Sequence, residues 1–404
     1  MLRENHSRRA LLLGMAGTGG AALVGGLSRP IEAMAQPAMD PRVAKIVADT
    51  ISVDMHNHLN QPPYSKLSAD PNSDTADLNL MRDFKKTGLS VLCFTYCVDE
   101  FQAPNPGDWY KYHLQDLAIT DKVLAKNGIR RAYTEADLRA AHAAKTPIVV
   151  QNCEGAQWIE GRLERVEEAY KRGLRHMQMV HQIHDIAAPL SGVQQNLKPT
   201  GGAMSGKAVN VTGLTPFGAK VVQECNRLGI VVDLAHASEE AGMAALKISK
   251  HPLVVSHTGL NNSLGRSAEV YKRNPGLAGR LVSERYAKAV ADAGGVVGIW
   301  HIYPTMKAYV MAIKQLVDVV GPDHAGIGTD SRTVYVERPG RRGGGTGGAG
   351  ANGSTNQMWL EEKGGFMPAI VNEMLAQGFK PADISKVAGE NYVRVFGKVT
   401  AGRA

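Results

Sequence analysis

Seven residues of the kinds that bind metal ions or move protons stand at the ends of short apolar runs: His56, His58, Glu154, His181, His236, His257 and Asp330. Imidazoles and carboxylates are ligands for zinc-class divalent cations, and they also exchange protons near neutral pH. One such histidine alone is more often structural. Burying seven ionisable groups without partners would be costly, so together they read as a metal site. The runs are ISVDMHNH (51–58), TPIVVQNCE (146–154), LRHMQMVH (174–181), GIVVDLAH (229–236), PLVVSH (252–257) and HAGIGTD (324–330). In a strand, side chains alternate with period two, which puts His56 and His58 on one face, with Asp54 beside them. Asp54 and Asp233, two and three residues before a candidate ligand, read as structural.

These residues need a frame that brings six runs to one place. Two more apolar, β-branched runs, LSVLCFTYC (89–97) and GGVVGIW (294–300), bring the strand candidates to eight. Helix-compatible stretches lie between them. Residues 108–128 form one, and residues 214–229 another, started by Thr215-Pro216 and stopped by Gly229. Alternation of this kind predicts an α/β fold, a (β/α)8 TIM barrel of the metal-dependent hydrolase type, whose sites form at the carboxyl ends of the strands. Closure would set His56 and His58 beside Asp330, which an open doubly wound sheet would do less naturally.

The chain has 404 residues, 44% hydrophobic and 21% charged, enough to bury a large core. Its net charge of +8 is spread without a long basic run and only 6% of residues are aromatic, which argues against a nucleic-acid surface. Residues 1–35 read as a twin-arginine export signal: Ser7-Arg8-Arg9, a Gly/Ala-rich apolar stretch, then Ala33-Met34-Ala35 as a cleavage pattern. Periplasmic localisation follows, with no stable membrane span after signal removal. Residues 36–50 form a lead-in and 51–404 the barrel domain. Cys93, Cys97, Cys153 and Cys225 have no zinc-ribbon spacing and read as buried free thiols. Cys93 and Cys97 would lie roughly 13 Å apart along a strand, too far for a disulfide, and Cys153 should point away from the site, into the barrel wall. Two segments interrupt the alternation: a polar loop at 182–213 and a glycine-rich insertion at 339–354. The GxGxxG spacing of Gly345, Gly347 and Gly350 lacks the strand and helix that a dinucleotide site needs.

The stretches DMHNH, QNCEGA, GLRHMQMVH, LTPFGAKVVQECNRLGIVVDLAHAS, PLVVSHT, YKRNPG, VGPDHAGIGTD and VAGENYVRVF run through nearly the whole chain after residue 50. In these the sequence resembles the membrane (renal) dipeptidases, zinc peptidases of the amidohydrolase superfamily. The resemblance implies a binuclear site with two zinc ions, hydrolysis of dipeptides with a D-residue often tolerated at the carboxyl-terminal position, and a homodimer. By position, His56, His58 and Asp330 would hold one zinc, His236 and His257 the other, and Glu154 would bridge them. A metal-bridging hydroxide would attack the scissile carbonyl. Asp330 would carry its proton to the leaving amine, His181 would donate to the oxyanion, and Arg273 with Asn274 would bind the substrate's terminal carboxylate.

The chain departs from the family pattern in three places. His56-Asn57-His58 stands where the family has His-x-Asp, which removes one negative charge from the ligand set and predicts a more electrophilic, less tightly held metal pair. Ser331-Arg332-Thr333 replaces Phe-Asp-Gly, and the glycine-rich tract follows closely. Both lie where specificity would be set. His184, Asp185, His301 and Tyr303 are peripheral candidates for lining the pocket. The expected function is an exported dipeptidase. The alternatives are a deacylase or lactonase using the same metal pair, and a non-catalytic periplasmic binding protein, which would need neither Asp330 nor His181.

Overall fold

The computed structural model describes residues 39–58, 79–98, 105–181, 213–267, 280–333, 354–359, 362 and 364–403. The export signal, the polar loop from 182 to 212, Arg273, Asn274 and all but the last residue of the glycine-rich tract lie outside these described residues.

Among the described residues, ten strands form one parallel sheet: β1 (Val53–His58), β2 (Val91–Cys97), β3 (Arg130–Arg131), β4 (Ile148–Glu154), β5 (Leu174–Gln178), β6 (Val231–Asp233), β7 (Val254–Thr258), β8 (Val296–Ile299), β9 (Ala325–Ile327) and β10 (Ser331–Arg332). Their order is β10-β1-β2-β4-β5-β6-β7-β8-β9, with the two-residue β3 attached to β4. Since β9 and β10 are consecutive pieces of one run, the sheet curls back on itself, and the eighth barrel position pairs with β8 through its first half and with β1 through its second. Parallel pairing requires long crossovers, and helices such as Asp108–Asn127, Pro216–Leu228 and Met306–Val320 supply them. The Thr215 hydroxyl accepts from Gly218 N, and Gly229 takes the left-handed conformation that ends its helix.

Alternation sorts side chains into two apolar groups. Val91, Val150, Val231, Val254, Val296 and Met55 fill the barrel together with Tyr392, Val395 and Phe396 from the C-terminal helix Asn391–Thr400. Leu92, Phe94, Tyr96, Val149 and Cys153 belong to the shell between sheet and helices. Cys153 therefore points into the wall, and all four cysteines are buried thiols outside any disulfide among the described residues. Above the apolar filling, the same inward positions turn polar, and the site begins there.

Candidate metal centre and active site

Register fixes the level of the site. Cys97 lies opposite Glu154, and Glu154 lies opposite Gln178 on the next strand. Gln178 Nε2 donates to Glu154 Oε1 at 3.2 Å and to Val180 O at 2.7 Å, so the carboxylate is held by its neighbour.

Each oxygen of Glu154 faces a different set of imidazoles. Oε2 lies 3.4 Å from His56 Nε2 and 3.3 Å from His58 Nε2, and His58 Nε2 is 3.1 Å from Asp330 Oδ1. Oε1 lies 3.3 Å from His236 Nε2 and 3.7 Å from His257 Nε2, with His181 Nε2 at 3.8 Å. Within the pairs, the Nε2 atoms are 3.2 Å apart for His56 and His58 and 3.0 Å apart for His236 and His257. Ligands about 2.0–2.1 Å from a tetrahedral ion lie roughly 3.3 Å from one another, and nitrogen with oxygen is a zinc-class donor set. The donor atoms thus converge as ligands do. His56, His58, Glu154 and Asp330 make one group, Glu154, His236 and His257 a second, and Cys97, Glu154 and His181 a third.

Left-handed backbone aims two of these side chains. His236 has φ 68° and Asp330 has φ 54°, a region that costs non-glycine residues energy and that surrounding structure must enforce. The strand reading was therefore too long at three places. β5, β6 and β9 end at Gln178, Asp233 and Ile327, and His181, His236 and Asp330 each stand three residues beyond. An apolar run looks the same whether or not its last residues pair, so these kinks were invisible in the composition.

Buried side chains enforce those turns. Asp54 accepts from Thr329 N at 2.8 Å and Thr329 Oγ1 at 2.6 Å, clamping the residue before Asp330. Asp233 accepts from Ala235 N and Ser256 N and pairs with His176, whose other ring nitrogen meets Tyr392. Both aspartates are structural, as their positions suggested. A Cβ on Gly328 would collide with the Ser256 carbonyl, so the chain before Asp330 approaches β7 through a glycine. Asn57, beside the unusual His58, is tied to the unusual segment 331–333: it donates to Asp54 and Ser331, and accepts from Thr333 Oγ1 at 2.6 Å.

Electrostatics separate the histidines. Burial opposes charge on His58, but hydrogen bonds to Asp330 and Glu154 outweigh it and raise the imidazole to about 9. Burial, with the nearby Arg280 charge, pushes His236 well below its ordinary value, and burial, His56 and Arg280 do so for His257. Burial alone would raise Glu154, yet the His181 and His56 charges and the hydrogen bonds from His56 and His58 hold its carboxyl well below the usual range.

Three residues missed in the sequence support the site. Cys97 Sγ lies 3.0 Å from His181 Nδ1, and the alternation Cys93, Thr95, Cys97 up to a strand end was the available signal. Gln178 could have been found the same way. Arg280, stacked 4.3 Å from Trp300 and donating to the His257 carbonyl, carried no recognisable spacing. His301 donates through Nδ1 to Thr329 O, and Tyr303 is fully buried with its carbonyl accepting from Trp359. His184 and Asp185 lie outside the described residues.

A parallel α/β barrel that gathers imidazoles and carboxylates beyond the carboxyl ends of its strands has the arrangement on which metal-dependent hydrolases are built. The model for the membrane dipeptidase family, peptidase family M19, matches residues 41–337, and the chain belongs to that family of metallo-dipeptidases. It is 23% identical over 308 residues to an uncharacterized protein in the pqqA 5′ region of Klebsiella pneumoniae, covering 73% of this chain and 98% of the relative. Among solved structures it is similar to the probable dipeptidase PvdM from Pseudomonas aeruginosa, with TM-score 0.66, 18% identity, and 90% and 98% of the two chains covered. It is also similar to a metallo peptidase from Rhodobacter sphaeroides liganded with a phosphinate mimic of the dipeptide L-Ala-D-Ala, with TM-score 0.60, 19% identity, and 87% and 100% covered. At these identities the likeness establishes the barrel.

Proposed function

We propose that the protein is an exported dipeptidase holding two zinc ions, and that it accepts dipeptides with a D-residue at the carboxyl-terminal position. The observation that carries this reading is the division of Glu154, one oxygen facing His56 and His58 and the other facing His236 and His257. One ion would be held by His56, His58, Asp330 and Glu154, the second by His236, His257 and Glu154. When bound, such a pair supplies Lewis acidity toward a carbonyl oxygen and a nucleophile active at neutral pH.

The chain's own residues do the rest. Asp330, beside His58 and on strained backbone, accepts a proton from the nucleophile and delivers it to the leaving amine. His181 donates from Nε2 to the oxyanion of the tetrahedral intermediate. Arg273 and Asn274 receive the terminal carboxylate. Tolerance of a D-residue is supported by the family and by the dipeptide mimic bound to the Rhodobacter sphaeroides protein. Export rests on the twin-arginine pattern of residues 7–9 and the Ala33-Met34-Ala35 cleavage site. No helix among the described residues is long and apolar enough to cross a membrane.

The test is zinc stoichiometry on the purified mature protein, together with a hydrolysis screen of L,L and L,D dipeptides, N-acyl amino acids and lactones. Two zinc equivalents with dipeptide turnover are expected. Two equivalents with turnover of acyl or lactone substrates alone would replace the dipeptidase by a deacylase or lactonase, and a metal-free, inactive protein would leave a binding function.

A further inference from the structure

His181 and the two histidines of the second half-site differ in what touches the ring nitrogen that faces away from the centre. His236 Nδ1 lies 3.2 Å from the backbone carbonyl of His181, which can only accept, so His236 carries its proton on Nδ1 and turns a lone pair inward from Nε2. His257 Nδ1 lies 2.9 Å from the Ser256 hydroxyl, which can accept from it or donate to it. A proton on Nδ1, as the carbonyl sets at His236, is the arrangement a metal ligand needs. His181 is the exception, because its Nδ1 meets Cys97 Sγ at 3.0 Å. A thiol has one proton to give and is a weak acceptor.

We propose that Cys97 is a positioning residue whose thiol donates to Nδ1 of His181, so that the neutral ring keeps its proton on Nε2 and presents a donor to the centre. The proposal rests on the dipeptidase reading for what that donor does. Two further observations support it. Cys97 lies opposite Glu154 on the adjacent strand, so the thiol is set at the level of the site by the sheet itself. The His181 carbonyl is in turn the acceptor for His236, so a backbone oxygen sets one ring and the Cys97 thiol the other, with the two ring centroids 4.9 Å apart. One ring can then serve as a ligand and the other as a hydrogen-bond donor.

The experiment uses the zinc-loaded mature protein with 15N-labelled histidine. Long-range proton–nitrogen spectra read the tautomer of each ring, and the His181 signals are assigned by their loss in His181→Asn. Expected is the Nε2–H tautomer at His181 in the wild type, a mixture in Cys97→Ala, and restoration in Cys97→Ser, whose hydroxyl also donates. In parallel, Cys97→Ala should lower kcat on a dipeptide about tenfold while KM changes less than about twofold and zinc content holds, and Cys97→Ser should recover to within about threefold, the scale of one hydrogen bond. An Nδ1–H tautomer in the wild type, an unchanged tautomer in Cys97→Ala, or loss of zinc in that variant would overturn the proposal. If the wild type turns over no dipeptide, the dipeptidase reading falls, while the spectra still decide the assignment of Cys97.

Discussion

The two sides of Glu154 are built differently. On the His236 and His257 side, burial and the Arg280 charge keep both imidazoles neutral, and each Nδ1 meets an oxygen within 3.2 Å. On the His56 and His58 side, Asp330 and Glu154 hold a proton on His58 up to about 9, and His56 Nδ1 finds no partner among the described residues. On one side burial disfavours protons on both rings, and the carbonyl of His181 turns the His236 Nε2 lone pair inward. The other is a proton-holding cluster, and it contains the carboxylate that should carry the proton in turnover. Glu154, with one oxygen toward each side, joins a half that disfavours protons to a half that holds one.

The largest effect should come from the residue both halves share. Glu154→Gln should lose more than one zinc equivalent and roughly 10³-fold or more in kcat/KM, since several kcal/mol of charge stabilisation depend on the metal pair. Retention of both equivalents would mean that the halves are independent. Next comes the division of labour. Asp330→Asn should keep zinc yet lose about 10²–10⁴-fold in kcat, the range for a general acid–base group. His257→Ala should lose one equivalent. Equal metal loss in both variants would remove the distinction between the halves.

A smaller, pH-dependent effect tests why the second half is neutral. Burial is the main cause for His236 and His257, and Arg280 adds to it. Arg280→Met should let both imidazoles rise, so that protons compete with zinc up to a higher pH. The half-loading pH of the second equivalent should then move upward by as much as about one unit. A downward shift in a zinc titration run at several pH values would contradict this. The smallest effect is expected from His58→Asp, which restores the family's ligand and adds a negative charge. Zinc should be held at least as tightly, with activity within about tenfold, the scale of one modest electrostatic adjustment. Collapse of both would show a centre rebuilt around two imidazoles.

Much of this centre was legible in the sequence because a barrel turns linear position into spatial position. A ligand at the end of an apolar run is delivered to one rim, and period-two alternation tells which way it points. That logic located His56, His58, Glu154 and His257, and placed Cys153 in the wall. It failed where the backbone leaves the ladder. The left-handed turns at His236 and Asp330 arise from buried hydrogen bonds to Asp233, Asp54 and Thr329, partners up to 275 residues apart in the chain. Only tertiary proximity reveals such pairs. The link from Asn57 to Ser331 and Thr333 is of the same kind: the neighbour of one departure from the family and two residues of another form one buried network. The short β3 escaped notice because two arginines carry no strand pattern.

Glu154 is proposed to stand between two ions. Anomalous diffraction at the zinc edge from crystals of the zinc-loaded protein tests it most directly. Two peaks are expected, one among His56, His58 and Asp330 and one beside His236 and His257, with an oxygen of Glu154 toward each. A single peak, or zinc bound away from Glu154, would contradict the account.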